Sequence, residues 1–363
     1  MENEAHIDFA VIGHQDNWPS VQSIINGMRS GENEPLTVAQ IKGTFSYIPP
    51  RSIFKMTAKS KTGKTVNGVY IETFIDPDEL TPHFLRKNIN KVNEAISVAL
   101  KHKSKIIALG GFTSIVLEGN LSQFDTSSSK ITTGNTLTSA YILKGVTDAI
   151  LKLNKRLQDC NVLIIGATGD IGSACTHYLS SKVKGLLLNA RNGRKLEAFA
   201  QQFTDTSAEI KWNTRLEELI PMADIIICVA SSASIEIKDY KKQVVICDAG
   251  YPKNLDTKIE EGNGTFVFHG GMGTVNYGYD FKPDYREHFY NYPRPHIAHG
   301  CILEAVVLAF EGKYENFSSG KGNIKTESID KIHELSVKHG VELAPFYNSK
   351  GLCEISLPKS SKG

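Results

Sequence analysis

The stretch Asn161-Val162-Leu163-Ile164-Ile165-Gly166-Ala167-Thr168-Gly169-Asp170-Ile171-Gly172 decides the fold class. An apolar run of strand length ends in a glycine turn, and a helical pattern, Ile171–Lys182, begins directly behind it. Glycines let such a turn tighten and let backbone amides approach a pyrophosphate at the helix N-terminus. The same residues also serve tight turns for steric reasons alone, so the surroundings have to separate the two readings. Working outward, apolar strands at Gly185–Ala190, Glu209–Trp212, Asp224–Ala230, Gln243–Asp248 and Gly264–His269 alternate with helical patterns at Arg194–Phe203 and Leu216–Met222. That alternation predicts an α/β fold: a doubly wound, parallel, Rossmann-like sheet of about six strands that binds a dinucleotide.

The turn nominates Gly166, Thr168, Gly169, Asp170 and Ile171 as cofactor-binding residues. The second strand runs into Asn189-Ala190-Arg191-Asn192-Gly193-Arg194-Lys195. A carboxylate there would accept the ribose hydroxyl of NAD, and none is present. Arg191, followed by Asn192, can instead fork onto a 2′-phosphate, which points to NADPH. Ala230, Ser231, Gly250, Tyr251 and Gly271 end later strands, at the edge where open α/β sheets hold ligands. Each of these turns reads equally well as a plain sharp bend.

The flanking chain has a different texture. Upstream lie a strand at His6–Gly13, a helix at Pro19–Met28, a hairpin across Ile53–Thr73 and a helix at Pro82–His102. A strand at Lys105–Leu109 then runs into Gly110-Gly111-Phe112-Thr113-Ser114, and a polar stretch leads through Thr133-Gly134-Asn135 to a helix at Thr138–Leu157. Downstream come an irregular segment at Tyr277–Pro295, an apolar helix at Cys301–Glu311 stopped by Gly312, and an amphipathic helix at Glu327–His339. The final residues read as loosely ordered. The expected division is an N-terminal α/β domain with a linking helix at 1–157, a dinucleotide-binding domain at 158–275 and a C-terminal helical segment at 276–363.

Composition narrows the function classes. The chain has 363 residues, 40% of them hydrophobic, with 41 Lys and Arg against 39 Asp and Glu. Charge so close to balance gives no case for a nucleic-acid partner. No apolar run approaches the roughly 20 residues of a membrane-spanning helix. The six cysteines are scattered, with no C-x-x-C pair and no zinc spacing, so the expectation is free thiols in the cytoplasm and no metal.

A carbonyl chemistry without metal needs another activating group. Tyr178-x-x-x-Lys182 has the spacing of a hydride-transfer pair but follows the glycine turn immediately, where it cannot reach a nicotinamide. Cys301 follows Gly300 at a helix start, where free amides and the helix dipole favour a thiolate. It reads equally as a nucleophile or as a core residue. Cys160, Cys175, Cys228 and Cys247 fall inside predicted elements and read as small hydrophobes. His269, at a strand end, and His299, two residues before Cys301, are the candidate acid/base groups. In an unbroken helix His299 would sit about 200° from Cys301, so it serves only if Gly300 interrupts the helix.

These residues carry a resemblance over about Phe9 to Pro345. Gly68–Glu72 (GVYIE), Ala108–Ile115 (ALGGFTSI), Thr132–Thr136 (TTGNT), Gly166–Ala174 (GATGDIGSA), Gly250–Leu255 (GYPKNL), Cys301 with Glu304-Ala305, and Asn316-Phe317-Ser318 resemble the cyanobacterial-type long-chain acyl-[acyl-carrier-protein] reductases. The resemblance implies NADPH-dependent reduction of fatty acyl thioesters, carried by acyl carrier protein or coenzyme A, to fatty aldehydes. It implies Cys301 as the nucleophile of an acyl-cysteine intermediate and an aldehyde-consuming enzyme downstream. It makes 1–157 the acyl-substrate domain, with Gly110, Gly111, Phe112, Thr113, Ser114, Thr133 and Asn135 as the expected substrate-binding residues, and 276–363 the segment that carries the catalytic cysteine. The chain departs from the pattern at His299 and His296, where the family is more apolar, and at His269, which stands for an asparagine. A fainter likeness ties the N-terminal region to shikimate-dehydrogenase-like architecture. Two rivals remain: an NADP-dependent dehydrogenase with no covalent step, and a non-catalytic NADP(H)-sensing module.

Overall fold

A computed structural model describes residues 6–29, 34–116, 127–231, 234–251, 253–255, 259, 264–289, 292–320 and 322–355. In chain order it contains β1 (Phe9–Gly13), α1 (Trp18–Gly27), α2 (Val38–Phe45), β2 (Arg51–Lys59), β3 (Thr65–Glu72), α3 (Leu85–Lys101), β4 (Ile106–Leu109), α4 (Phe112–Val116) and β5 (Lys130–Thr132). Next come α5 (Asn135–Lys152), β6 (Asn161–Ile165), α6 (Asp170–Leu179), β7 (Gly185–Asn189), α7 (Gly193–Ala200), β8 (Glu209–Trp212), β9 (Ile225–Cys228), β10 (Val245–Asp248) and β11 (Phe266–His269). The chain closes with β12 (Met272–Val275), β13 (Tyr279–Lys282), α8 (Arg286–Phe289), β14 (Ile297–His299), α9 (Gly300–Glu311), α10 (Thr326–Lys338), β15 (Val341–Leu343), β16 (Tyr347–Asn348) and β17 (Gly351–Leu352).

Two compact units result: Met1–Gly134 with Gly273–Gly320 and Ile332–Glu342, and Asn135–Met272 with Lys321–Lys331 and Leu343–Gly363. The first boundary therefore falls at Gly134 rather than after the linking helix. The segment carrying Cys301 belongs to the first unit and does not stand alone.

The first unit is built on a six-stranded sheet in the order β13-β2-β3-β1-β4-β5. Strands β3, β1, β4 and β5 run parallel, while β2 and β13 add antiparallel at one edge. Ala10 and Ile12 of β1 pack with Val92, Ala95, Ile96 and Ala99 of α3, an i, i+3, i+4 stripe that buries one helix face. Helix α9 is buried almost all round and packs against β1, β3, β4 and β5. Its sequence, GCILEAVVLAFE, has scarcely a polar face to turn to water.

The second unit holds six parallel strands in the order β11-β10-β9-β6-β7-β8, the doubly wound arrangement the strand–helix alternation predicts. Leu163, Ile165, Leu187, Ile226, Cys228, Ile246 and Val267 form its apolar floor with Leu219, Ile220 and Ala223. Helix α5 packs against α6 and β10.

Four expectations change. Leu216–Met222 is not one helix but two single 3-10 turns, Leu216–Glu218 and Ile220–Met222, because Pro221 has no N–H to continue the ladder. Helix α5 begins already at Asn135 and stops at Lys152, ahead of Asn154 with its left-handed φ of 55°. The region after Tyr277 is not irregular throughout, since it supplies β13, α8 and β14. The tail is ordered through Leu352: Phe346 packs on Phe266 and Phe268, and Asn348 Nδ2 donates to Val267 O at 3.1 Å. Among the described residues, no helix is long and apolar enough to cross a membrane, and no group of His, Cys, Asp or Glu could hold a metal ion.

Candidate active site

In the first unit the carboxyl ends of β1, β4 and β5 meet the first turn of α9. His299 is the N-cap, extended at φ −66° and ψ 142°, so the helix starts at Gly300 and Cys301 lies in its first turn. His299 thus stands outside the helix, where the rotation that would remove it from Cys301 does not apply, and its ring meets Tyr292 edge-on. No side chain caps α9. Cys301 is half-buried, and backbone N–H groups of Gly111 and Ile302 face its sulfur. Burial nonetheless pushes the thiol up to about 11, and the Glu304 carboxylate adds to the rise. The thiolate bias expected from the helix start is therefore outweighed, and the resting group is a thiol.

Close packing sets this corner. Gly134, at φ 68°, lies so near that a Cβ on it would sit 2.1 Å from Cys301 Cα. Only glycine meets both conditions. One residue earlier but one, Thr132 Oγ1 donates to the Glu304 carboxylate, which is wholly buried one helical turn beyond Cys301. Thr133 N–H donates to Ser318 O at 2.9 Å, yet its own Oγ1 has no hydrogen-bond partner among the described residues.

The Gly110–Ser114 loop is held from within and below. Gly110 N–H donates to Ile12 O at 2.9 Å, Thr113 Oγ1 to Gly110 O at 2.9 Å and Ser114 Oγ to Gly111 O at 2.8 Å. Phe112 N–H donates to His14 Nε2 at 2.9 Å. The hydroxyls of Thr113 and Ser114 are thus spent on the loop itself, while the Gly111 amide is the part that reaches Cys301.

Sequence reasoning missed a buried polar cluster beside these residues. Glu72 Oε2 accepts from Gln15 Nε2 at 2.8 Å and from Tyr70 Oη at 3.0 Å, and Oε1 accepts from Phe74 N–H at 3.2 Å. Burial pushes the Glu72 carboxyl up to about 7 despite these donors. His14, also buried, is held below its ordinary pKa by desolvation. The available signal was a charged or polar residue directly after each apolar strand: His14-Gln15 after FAVIG and Glu72 at the end of VYIE.

In the second unit β6 passes through Gly166, at φ 93°, to the N-cap Gly169, and no side chain caps α6. A Cβ on Gly172 would lie 2.2 Å from Gly166 O, and one on Gly166 2.9 Å from Ala230 backbone. The turn is accordingly compact, with uncapped amides at a helix start, which fits a bound pyrophosphate. Thr168 and Ile171 are half-exposed along it. Asp170 is otherwise engaged: its carboxylate accepts from Asn135 Nδ2 at 2.7 Å and from Gly322 N–H at 2.9 Å. Asn135 is tied up by the same bond.

Arg191 follows β7 and is exposed, and its Nη2 donates to Ser231 Oγ at 3.3 Å after β9. Since β6 lies between β7 and β9, this side chain crosses the carboxyl end of β6, over the glycine turn. Asn192 caps α7 by accepting Lys195 N–H at 3.0 Å. Ala230 is clamped by Asn254, which accepts its N–H at 3.0 Å and donates to its C=O at 2.8 Å. Asp248 accepts from Gly250, Asn254 and Leu255 N–H groups and holds the turn that contains Gly250. Sequence reasoning overlooked Asp248 and Asn254; a carboxylate closing an apolar strand, Val245-Ile246-Cys247-Asp248, was the readable sign. Tyr251 is half-buried in that turn, and Gly271, at φ 73°, packs on Thr138.

His269 ends β11 in the second unit, edge-on to Tyr347, and burial together with Lys253 pulls it down to about 3. Its imidazole is neutral near pH 7, so it can accept or donate a hydrogen bond but not act as a cationic acid. Tyr178 and Lys182 face each other, with the ammonium 3.3 Å from the ring centre and Tyr178 Oη on Asp330 at 3.0 Å, which is a packing arrangement. Cys175, Cys228 and Cys247 are buried and their thiols are pushed up by desolvation.

Residues 148–269 match the family model described as shikimate / quinate 5-dehydrogenase. Over 352 residues the chain is 34% identical to the long-chain acyl-[acyl-carrier-protein] reductase of Synechococcus elongatus, covering 92% of this chain and 98% of that protein. It is 27% identical over 309 residues to the aminotransferase PigE of a Serratia species, covering 83% of this chain and 35% of that protein. Among solved structures, shikimate 5-dehydrogenase from Listeria monocytogenes aligns at a TM-score of 0.38 and 12% identity, covering 90% of this chain and 96% of that one.

Proposed function

The chain belongs to the long-chain acyl-[acyl-carrier-protein] reductase family, and on that premise we propose that it reduces long-chain fatty acyl thioesters to fatty aldehydes through an acyl group held on Cys301. The observation that carries the reading is the Cys301 corner: a half-buried thiol in the first turn of α9, faced by the N–H groups of Gly111 and Ile302 and packed on Gly134.

The chemistry follows from these residues. The Cys301 sulfur attacks the thioester carbonyl carbon, and the carbonyl π pair moves onto oxygen. When the C=O bond re-forms, the carrier thiolate leaves and takes up the proton Cys301 has lost. With a thiol pushed up to about 11, attack and proton loss have to be coupled, and the surrounding amides stabilise the negative charge as it forms. NADPH, when bound, supplies the hydride that reduces the acyl carbonyl. The hemithioacetal on Cys301 then collapses, expelling the aldehyde and returning the sulfur, which regains a proton from solvent.

For the cofactor, the Gly166–Gly172 turn would hold the pyrophosphate and Arg191 the 2′-phosphate. The donor is carried by acyl carrier protein, with acyl-coenzyme A as the smaller substrate. The direct test is incubation with palmitoyl thioesters of both kinds and NADPH, followed by aldehyde detection. Aldehyde formation that depends on NADPH supports the reading; oxidation of NADPH with no aldehyde, or no turnover with either donor, contradicts it. Carrier-protein docking through charge further requires that activity with that donor fall more steeply with salt than activity with acyl-coenzyme A.

A further inference from the structure

Thr133 occupies a bracketed position. On one side Thr132 Oγ1 is bonded to Glu304, and on the other the Gly134 backbone abuts Cys301. Glu304 and Cys301 are three residues apart on α9 and so share a face of its first turn. Thr133 therefore lies between two contact points on the helix turn that carries the nucleophile. Its backbone is fixed by the bond from its N–H to Ser318 O at 2.9 Å.

The residue is 5% exposed, and its hydroxyl oxygen has no hydrogen-bond partner among the described residues. A hydroxyl buried without a partner destabilises a fold, whereas valine would fill nearly the same volume without that cost. Its neighbours Thr132, Thr113 and Ser114 all satisfy their hydroxyls within the protein. Ser104 Oγ is also buried without a partner, but Thr133 is the unsatisfied hydroxyl whose two chain neighbours touch the helix turn of the thiol, a place where a ligand's acceptor completes the bond.

We propose that the Thr133 hydroxyl is a catalytic hydrogen-bond donor to the substrate's thioester oxygen, stabilising the oxyanion that forms as Cys301 attacks. The assignment rests on the acyl-cysteine reading above. As the C–S bond to Cys301 forms, the carbonyl π pair becomes the oxyanion lone pair that Thr133 Oγ–H binds. The hydroxyl keeps its proton throughout. When the pair returns, the bond to the carrier sulfur breaks and the hydrogen bond relaxes to a neutral carbonyl. The Gly111 N–H, already facing the sulfur, is the neighbouring donor.

The test is rapid mixing of the protein with palmitoyl-coenzyme A and no NADPH, acid quench, and the mass of the Cys301 peptide against time. Thr133→Val is expected to acylate on the order of a hundredfold more slowly, as loss of one oxyanion donor does, with unchanged KM. Thr133→Ser, which keeps the hydroxyl, is expected to recover most of the rate. Thermal unfolding supplies the second readout: Thr133→Val should melt at or above the wild-type temperature, since it removes an unsatisfied buried group. A lower melting temperature for Thr133→Val with equal loss in Thr133→Ser would show a packing role and overturn the assignment. Wild-type acylation with Thr133→Val equally fast overturns it too, leaving the acyl-cysteine reading intact. Absence of any acyl group on wild-type Cys301 overturns that parent reading and the assignment with it.

Discussion

His14 Nε2 accepts the Phe112 N–H at 2.9 Å, and the next amide along, Gly111 N–H, faces the Cys301 sulfur. An acceptor at Nε2 places the imidazole proton on Nδ1, which lies 3.3 Å from Gln15 O. The ring is neutral, in keeping with the desolvation that lowers its pKa. A residue directly after β1 thus fixes the peptide adjoining the one whose N–H the nucleophile sees.

This arrangement predicts how His14 variants behave. His14→Leu leaves the Phe112 N–H without an acceptor, at a cost of about 1–3 kcal/mol, and frees the Gly111 peptide to turn away. The rate at which iodoacetamide alkylates Cys301 at a given pH should fall, because the thiolate loses a donor. His14→Gln, which offers an amide oxygen, should restore part of it. Unchanged alkylation in His14→Leu would show that the loop is held by its other bonds.

Glu72 predicts a pH dependence of stability. Burial raises its carboxyl from 4.5 to about 7 in the folded protein, so the folded state keeps a proton that the unfolded state gives up. Its contribution is fully present below about pH 4.5 and is lost as pH rises through 7, a change of about 3 kcal/mol. His14 works in the opposite direction as pH falls below its ordinary value, so the comparison is best made by substitution. Glu72→Gln should be at least as stable as wild type at pH 8 and gain nothing at pH 5. Parallel stability–pH curves for the two proteins would show that Glu72 is not held protonated.

Gly134→Ala tests the close approach of α9 to the end of β5. The added methyl would meet Cys301 Cα at 2.1 Å, on a backbone already at φ 68°. We expect a stability loss of about 1–3 kcal/mol and a larger proportional loss of Cys301 acylation, with NADPH binding retained. Wild-type acylation in this variant would contradict the packing described for the corner.

Arg191→Glu tests the cofactor assignment. Replacing a phosphate-pairing cation by a carboxylate should weaken NADPH by roughly tenfold to a hundredfold, from about 1.5–3 kcal/mol per charge-assisted contact. NADH affinity should change far less. Equal losses for both would mean that Arg191 serves only its bond to Ser231.

Much of this fold is legible in the amino-acid sequence, and the reason differs by element. Five of the six strands of the second unit were readable because strands buried on both faces must be continuously apolar, as in Leu186-Leu187-Leu188 and Ile225-Ile226-Ile227, whereas the edge strand β8, Glu209-Ile210-Lys211-Trp212, is largely exposed. Strand β5 was hidden because Lys130-Ile131-Thr132 is short and polar-flanked; it is fixed by pairing with β4, not by its own pattern. Helix α2 escaped notice although Thr37 and Gln40 form a capping box ahead of it. Cys301 and the glycine turn could be picked by motif. His14 and Glu72 could not, since their meaning lies in partners brought from distant strands, and Thr133 was named from its motif while the idleness of its buried hydroxyl shows only once the chain is packed.

Acyl labelling of Cys301 separates the covalent route from its alternative. Mixed with a long-chain acyl thioester and no NADPH, the wild-type protein should gain the mass of one acyl group on Cys301, removable by hydroxylamine as a thioester is. Added NADPH should discharge that group as aldehyde. Cys301→Ala should neither label nor turn over while still binding NADPH through the second unit. Continued aldehyde production by Cys301→Ala would contradict the covalent route and leave an NADPH-dependent reduction that proceeds without it.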